Sequence, residues 1–299
     1  MGAAGVAPAL HPSIAFALRL AVLADCAGAA ELEPTVERLL GDVEAWDGSD
    51  LARSGLPFEL AFASADPRTL RITVDVFSLS RALELYGELA PVALPDDVRR
   101  AVAGARSAYL GLRWPGHRSP NAPPQPKLYI LANTWPLPTI DLSVAARLTM
   151  IAYEGASDGT ELYYRAEALG IAGVMALLGE SAQAVLDVLA EAVGRPLRGA
   201  LPSCDFGFSI STRRGSHDAR RITLYGFAGS LFGSDARCRD AILRLSLAHG
   251  WSFPLYERVS EPLRHARGPA MHHGMFGIVA AADAEPSITF GLAPPAEAR

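Results

Sequence analysis

Lysine is almost absent from this chain. Of 27 basic side chains among 299 residues, 26 are arginine and one, Lys127, is lysine. Either cation serves at a solvated surface. A lone lysine therefore marks either chance survival or a place that wants a compact three-donor ammonium. An excess of positive charge is missing too. The net charge is −5, so nothing suggests the basic face that nucleic acid or an anionic membrane surface requires. Cysteine is scarce: Cys26, Cys204 and Cys238 have neither metal-ligand spacing nor a disulfide framework, so they read as reduced thiols of a cytoplasmic protein. The phosphate-holding loops GxxxxGKS/T and GxGxxG are absent, as is the DDxxD pattern that grips a diphosphate through magnesium. Asp96-Asp97 runs into Val98-Arg99-Arg100 and reads as the acidic first turn of a helix. No long uninterrupted apolar run occurs. Ile14 to Ala30 is broken by Arg19 and Asp25, has no basic stretch before it, and predicts an amphipathic helix rather than a signal or span.

What is present is alternation. Ten segments with period two come in five pairs, separated by helical stretches. The pairs are 57–64 with 69–77, 108–114 with 127–133, 147–154 with 160–168, 205–212 with 221–227, and 275–281 with 287–292. Turn chemistry joins them, as in Ala65-Asp66-Pro67-Arg68 and Gly155-Ala156-Ser157-Asp158-Gly159. Helices are expected over 12–23, 31–45, 79–89, 96–106, 172–193 and 234–249. Consecutive hairpins lie side by side in an antiparallel sheet, and ten strands are enough to close, which removes exposed edges. The expected fold is α+β: a closed ten-stranded antiparallel β-barrel with a polar lumen, surrounded by helices in five α-β-β-α repeats. It is expected as a single domain over 1–299, with N-terminal helices in 1–50, the barrel in 51–293 and a tail in 294–299.

One strand face is apolar and the other polar. Leu70, Ile72 and Val74 oppose Arg71, Thr73 and Asp75; Lys127 and Tyr129 oppose Leu128 and Ile130; Arg221, Thr223 and Tyr225 oppose Ile222 and Leu224. Arg147, Thr149 and Tyr153 are expected to share an inner face. A two-layer sandwich whose polar faces meet water gives the same alternation. Basic residues with tyrosines between them on several strands favour the barrel, because an exposed face of an acidic protein would mix in glutamate.

Cations ringed by phenols in a confined tunnel suit an isoprenyl diphosphate. Arginine and lysine neutralise phosphate oxygens, and tyrosine faces stabilise an allylic cation where water is excluded. Glu59, between Phe58 and Leu60, points into the same space. It is either a general base for a polarised N–H or O–H, or a structural partner of Arg71 across the hairpin.

These residues resemble the ABBA or PT-barrel aromatic prenyltransferases. Pro57-Phe58-Glu59 opens the first strand, Arg71 lies on its return, and Lys127-Leu128-Tyr129 and Arg221-Ile222-Thr223-Leu224-Tyr225 follow. The similarity in layout runs from about residue 50 to 292. The resemblance implies Glu59 and Lys127 as catalytic residues. It implies Arg71, Lys127, Tyr129, Arg147, Tyr164, Arg221, Thr223 and Tyr225 for diphosphate binding and allyl shielding. One departure stands out: Glu161-Leu162-Tyr163-Tyr164-Arg165-Ala166 lacks the paired inward Arg/Lys of the indole enzymes. No cofactor or metal is required, with magnesium as an optional aid. The acceptor is an aromatic small molecule or a peptide side chain, with the short chain leaning toward the cyanobactin-type peptide enzymes. A non-catalytic small-molecule-binding barrel is the rival. A cytoplasmic monomer without nucleic-acid or membrane partners is expected.

His272-His273 either contacts ligand or, as loop histidines usually are, is simply solvated, and Arg237, Arg239 and Arg244 read as an exposed helix face. Trp114, Trp135 and Trp251 either line the acceptor end or pack in the core.

Overall fold

A computed structural model describes residues 10–26, 29–40, 48–90, 93–115, 123–131, 144–213, 219–282 and 284–296. Trp135 and the sequence beyond 131 in the second pair fall outside them.

Helices α1 (Pro12–Leu23) and α2 (Ala29–Leu40) precede the first hairpin, β1 (Phe58–Ala63) with β2 (Leu70–Asp75). Next come α3 (Leu79–Leu89) and α4 (Asp96–Ala103), then β3 (Ser107–Trp114) with β4 (Gln125–Leu131). The third hairpin, β5 (Ala146–Glu154) with β6 (Gly159–Ala166), leads to α5 (Ile171–Leu178) and α6 (Ala182–Val193). The fourth, β7 (Phe206–Arg213) with β8 (Ala219–Phe227), leads to α7 (Ala228–Phe232), α8 (Asp235–His249) and α9 (Pro254–Val259). Finally β9 (His273–Ala281) pairs with β10 (Ser287–Leu292). Each strand pairs antiparallel with its sequence neighbours, and β10 returns to β1 through Leu60–Leu292 and Phe62–Phe290, so the sheet is a closed barrel of ten strands. Closure removes the sandwich alternative. The antiparallel order puts the joined ends of all five strand pairs at one end of the barrel.

Every second strand residue faces the helical shell, and these are the apolar ones. Phe58, Leu60, Ile72, Val74, Leu110, Leu128, Phe208 and Ile278 are all buried. Removing such side chains from water contributes about 1.5–3 kcal/mol each, the main force holding helices to barrel. Local signals set the helix ends. Ser78 accepts a hydrogen bond from the Arg81 amide to start α3, Ser234 does the same for Arg237 in α8, and Gly250 ends α8 at φ 67°.

The helix expected over 172–193 is broken. Gly179 takes φ 55° and a short 3₁₀ turn, Gly179–Ser181, separates α5 from α6. By length and hydropathy 171–193 would cross a membrane, yet it lies on the barrel with Val174, Leu178, Val185 and Leu189 buried. The short helices α7 and α9 and the 3₁₀ segment Glu261–His265 had no sequence expectation. They are too brief to show a helical period.

Two outer features differ from expectation. His273 is buried, with its Nδ1 2.7 Å from Asp235 Oδ1 and its Nε2 2.9 Å from the Tyr256 hydroxyl. Asp235 also accepts the backbone N–H groups of Met271, His272 and His273, fixing the start of β9 to the first turn of α8. Arg239 is buried, bonding Ser260 at 3.1 Å and Glu261 at 2.5 Å, whereas Arg237 and Arg244 are exposed as expected, Arg244 donating to the carbonyls of Glu191 and Ala192. Trp114 packs in the outer core and Trp251 stacks on His249.

Candidate active site

The inner face of the barrel is built from alternate residues whose registers fix which of them are neighbours. On β2 to β4, Arg71 stands opposite Arg113, Thr73 opposite Gly111, Asp75 opposite Tyr109, and Gly111 opposite Lys127. Near the hairpin-turn end, Arg71 and Arg113 lie 3.9 and 3.4 Å from Asp66, and Arg113 lies 3.8 Å from Glu154. Burial, then repulsion by Arg113 and by Arg221 on β8, lowers the pKa of Arg71. Cations from separate hairpins therefore share one space. The Nε atoms of Arg71 and Arg113 are buried and have no hydrogen-bond partner among the described residues. Unpaired buried guanidinium donors are costly unless something negative arrives to use them.

Lys127 is engaged. Its Nζ donates to Glu161 at 2.6 Å, and Ser209 donates to the other carboxylate oxygen at 2.6 Å. Burial opposes both charges. The Lys127 ammonium nevertheless draws Glu161 down to about 2, and Glu161 holds Lys127 above its ordinary value.

Beside this pair runs an arc of phenols. Tyr129 lies 6.3 Å from Tyr163, and Tyr163 6.2 Å from Tyr225, ring centre to ring centre. Lys127 sits 5.1 Å from the Tyr129 centroid. Tyr225 donates to the Tyr164 carbonyl at 3.0 Å, and its ring lies flat on Gly207, where a Cβ would clash with it. Burial raises the pKa of Tyr129, Tyr163 and Tyr225, so all three stay neutral.

Glu59 sits toward the opposite end, across from Thr73. It makes no hydrogen bond or ion pair with any described residue, which removes the pairing with Arg71. Its carboxyl lies against the backbone of Gly274 and Gly291, at each of which a Cβ would overlap it. Burial with no compensating partner pushes it up to about 8.

Several expected site residues lie elsewhere. Tyr164 points outward and stacks on Phe208 at 5.2 Å, and the lumenal tyrosine is its neighbour Tyr163. Tyr153 also faces out, 6.3 Å from Tyr86 in the outer core. A β-bulge between Leu148 and Met150 shifts the phase of β5 and puts Ala152 and Glu154 inside. Arg147 pairs with Arg165 at the far end of β5, exposed and away from Arg71 and Lys127. Arg221, Thr223 and Tyr225 share the inner face of β8 as expected. Glu161 and Tyr163 were missing from the expected set, whereas Arg113 lies on the polar face that its alternation with Leu112 and Trp114 predicts. The outward Leu162 between two polar positions is the signal that places Glu161 and Tyr163 inside.

Among the described residues no group of three or more His, Cys, Asp or Glu could hold a metal ion.

No protein-family model and no curated protein matches the sequence. Solved structures do match. The 5-dimethylallyl tryptophan synthase of Streptomyces coelicolor, in complex with DMASPP and Trp, superposes with a TM-score of 0.71 at 16% identity. The alignment covers 95% of this chain and 96% of that one. The chain has the fold of the PT-barrel prenyltransferases. The 6-dimethylallyltryptophan synthase of Micromonospora olivasterospora gives 0.71 at 18% identity, covering 96% of this chain and all of that one. AnaPT of Neosartorya fischeri gives 0.64 at 12% identity, over 97% and 96% of the two chains. The Streptomyces and Micromonospora chains are matched over 96–100% of their length. Chain length therefore does not separate this protein from tryptophan-modifying barrels.

Proposed function

We propose that this protein is an aromatic prenyltransferase. It moves a dimethylallyl or longer isoprenyl group from its diphosphate to an electron-rich aromatic ring. The observation that carries the reading is the polar lumen: unpartnered Arg71 and Arg113 donors near Lys127 and Arg221, a tyrosine arc beside them, and a partnerless carboxyl toward the other end. The diphosphate oxygens take hydrogen bonds from the arginines and Lys127 as the allylic C–O bond breaks. Tyr129, Tyr163 and Tyr225 present their faces to the allyl cation and keep water from it. An aromatic carbon attacks the cation, and Glu59, hydrogen-bonded to an N–H or O–H of the acceptor, takes up the positive charge as a proton. A base near pH 8 is well matched to that transfer.

The ligands named for the neighbouring structures, DMASPP and Trp, support an indole acceptor. A peptide-borne side chain has its own support. Phe77, Phe227 and Met271 are exposed apolar residues at the ends of β2 and β8 and just before β9, around the Glu59 end of the barrel. They would give an extended chain something to rest on. The test is incubation with dimethylallyl diphosphate and a panel of tryptophan, indoles, tyrosine and short aromatic peptides. The expected result is a product carrying one C5H8 unit and one released diphosphate. No product and no diphosphate across the panel would leave a binding barrel instead.

A further inference from the structure

Glu161 is the feature that the reaction above does not use. It stands mid-lumen on β6, between Ala152 of β5 and Ser211 of β7. Its carboxylate holds the one lysine of the chain at 2.6 Å and is braced by Ser209 at 2.6 Å. An ammonium so placed offers little to a second anion. Arg71 and Arg113 lean on Asp66, and Arg113 also on Glu154. A diphosphate entering this end therefore meets cations that already have carboxylates beside them.

Resting on the prenyl-transfer reading, we propose that Glu161 is a built-in competitor for Lys127 that sets donor affinity, and that the barrel takes up a proton when a diphosphate binds. Lys127 Nζ moves from the Glu161 carboxylate to a phosphate oxygen, and Glu161 takes a proton from solvent and stays in the lumen as a neutral carboxyl. The groups facing Glu161 favour this resolution. Lys127 and Tyr129 come from β4, Tyr163 from β6, Ser209 from β7, and Arg221 and Tyr225 from β8, while Glu154 of β5 acts on Lys127 and Tyr129. Once a diphosphate claims Lys127 and Arg221, what remains is phenols, a hydroxyl and a second carboxylate. Glu59 shows what this lumen does to a carboxyl without a cation, since burial alone takes it to about 8. An ionised Glu161 beside a polyanion would be driven the same way.

The test is calorimetric titration with inorganic diphosphate of the wild type and Glu161→Gln, between pH 6 and 8, in two buffers of different ionisation enthalpy. Glutamine keeps the Ser209 bond and releases Lys127. The variant should bind at least about tenfold tighter at pH 8 and take up about one proton fewer, and wild-type affinity should fall about tenfold per pH unit relative to it. Titration of the diphosphate and of Glu59 is common to both proteins and drops out of the difference. Equal or weaker binding by the variant, with an unchanged proton count, overturns the proposal while the diphosphate site stands. No binding by either protein overturns this proposal and the prenyl-transfer reading together. Should the variant not fold, Glu59→Gln protein titrated with sulfate, which has no proton to exchange in this range, gives the same answer. Affinity falling with pH supports the proposal and a flat profile overturns it.

Discussion

Replacing Glu59 by glutamine should stabilise the protein and stop its chemistry, and the size of the first effect follows from the lumen. The carboxyl has no partner among the described residues, and burial moves its pKa from an ordinary 4.5 to about 8. The folded value lies above the unfolded one. Below pH 4.5 both states carry the proton and Glu59 imposes no ionisation cost. Between 4.5 and 8 the unfolded chain releases a proton that the folded chain keeps, so stability declines by about 1.4 kcal/mol per pH unit. By pH 7 the accumulated loss is about 3 kcal/mol, and it levels off above pH 8. Glutamine does not titrate, so the variant should gain about 2.5 kcal/mol on the wild type as pH rises from 5 to 7. Urea unfolding of both proteins at pH 5, 6, 7 and 8 measures it. In the same window the wild-type kcat/KM should climb with pH toward 8, because at pH 7 only about one Glu59 in ten is ionised and able to act as base. A stability difference that stays constant from pH 5 to 8 would refute the idea of a desolvated, partnerless carboxyl.

Other consequences are equally specific. Gly291→Ala drives a methyl group into the seat of the Glu59 carboxyl. Steady-state kinetics should show turnover lost about a hundredfold or more, with Tm little changed, because the displaced atoms are the end of one side chain. Tyr163→Ala should raise the share of dimethylallyl diphosphate lost to water, read as the ratio of dimethylallyl alcohol to prenylated product, while Tyr164→Ala should leave that ratio alone and cost about 3 kcal/mol of stability through the outer core. Lys127→Ala leaves Glu161 buried without its cation and should cost about 3–5 kcal/mol in denaturant unfolding near pH 8, most of it recovered in the Lys127→Ala, Glu161→Gln double variant. Asp235→Ala unties three backbone amides and His273 from the start of α8. It should lower stability by several kcal/mol, on the order of 3, with kcat per folded molecule unchanged.

The barrel was legible because its strands alternate so regularly. Once Leu70, Ile72 and Val74 must meet helices, Arg71 and Thr73 have only the lumen left. The site was legible only as far as that phase held. In β5 a single bulge reverses it, and nothing in Arg147-Leu148-Thr149-Met150 marks the extra residue. In β6 two adjacent tyrosines offer the same chemistry, and only the apolar Leu162 tells which of them faces in. Lys127 stood out by rarity, yet its partner could not be read, because Glu161 reaches it from two strands away, across β5. His273 and Arg239 read as surface residues because charge in a loop or on a helix ordinarily faces water. Here Asp235, Tyr256, Ser260 and Glu261 satisfy them in the interior.

The most direct test of the whole account is a crystal structure with dimethylallyl thiolodiphosphate bound. The account predicts the diphosphate on Arg71, Lys127 and Arg221, with the allyl chain among Tyr129, Tyr163 and Tyr225 and its reactive carbon turned toward Glu59. An analogue found outside the barrel, or seated in the lumen with its diphosphate at the Glu59 end, would contradict it.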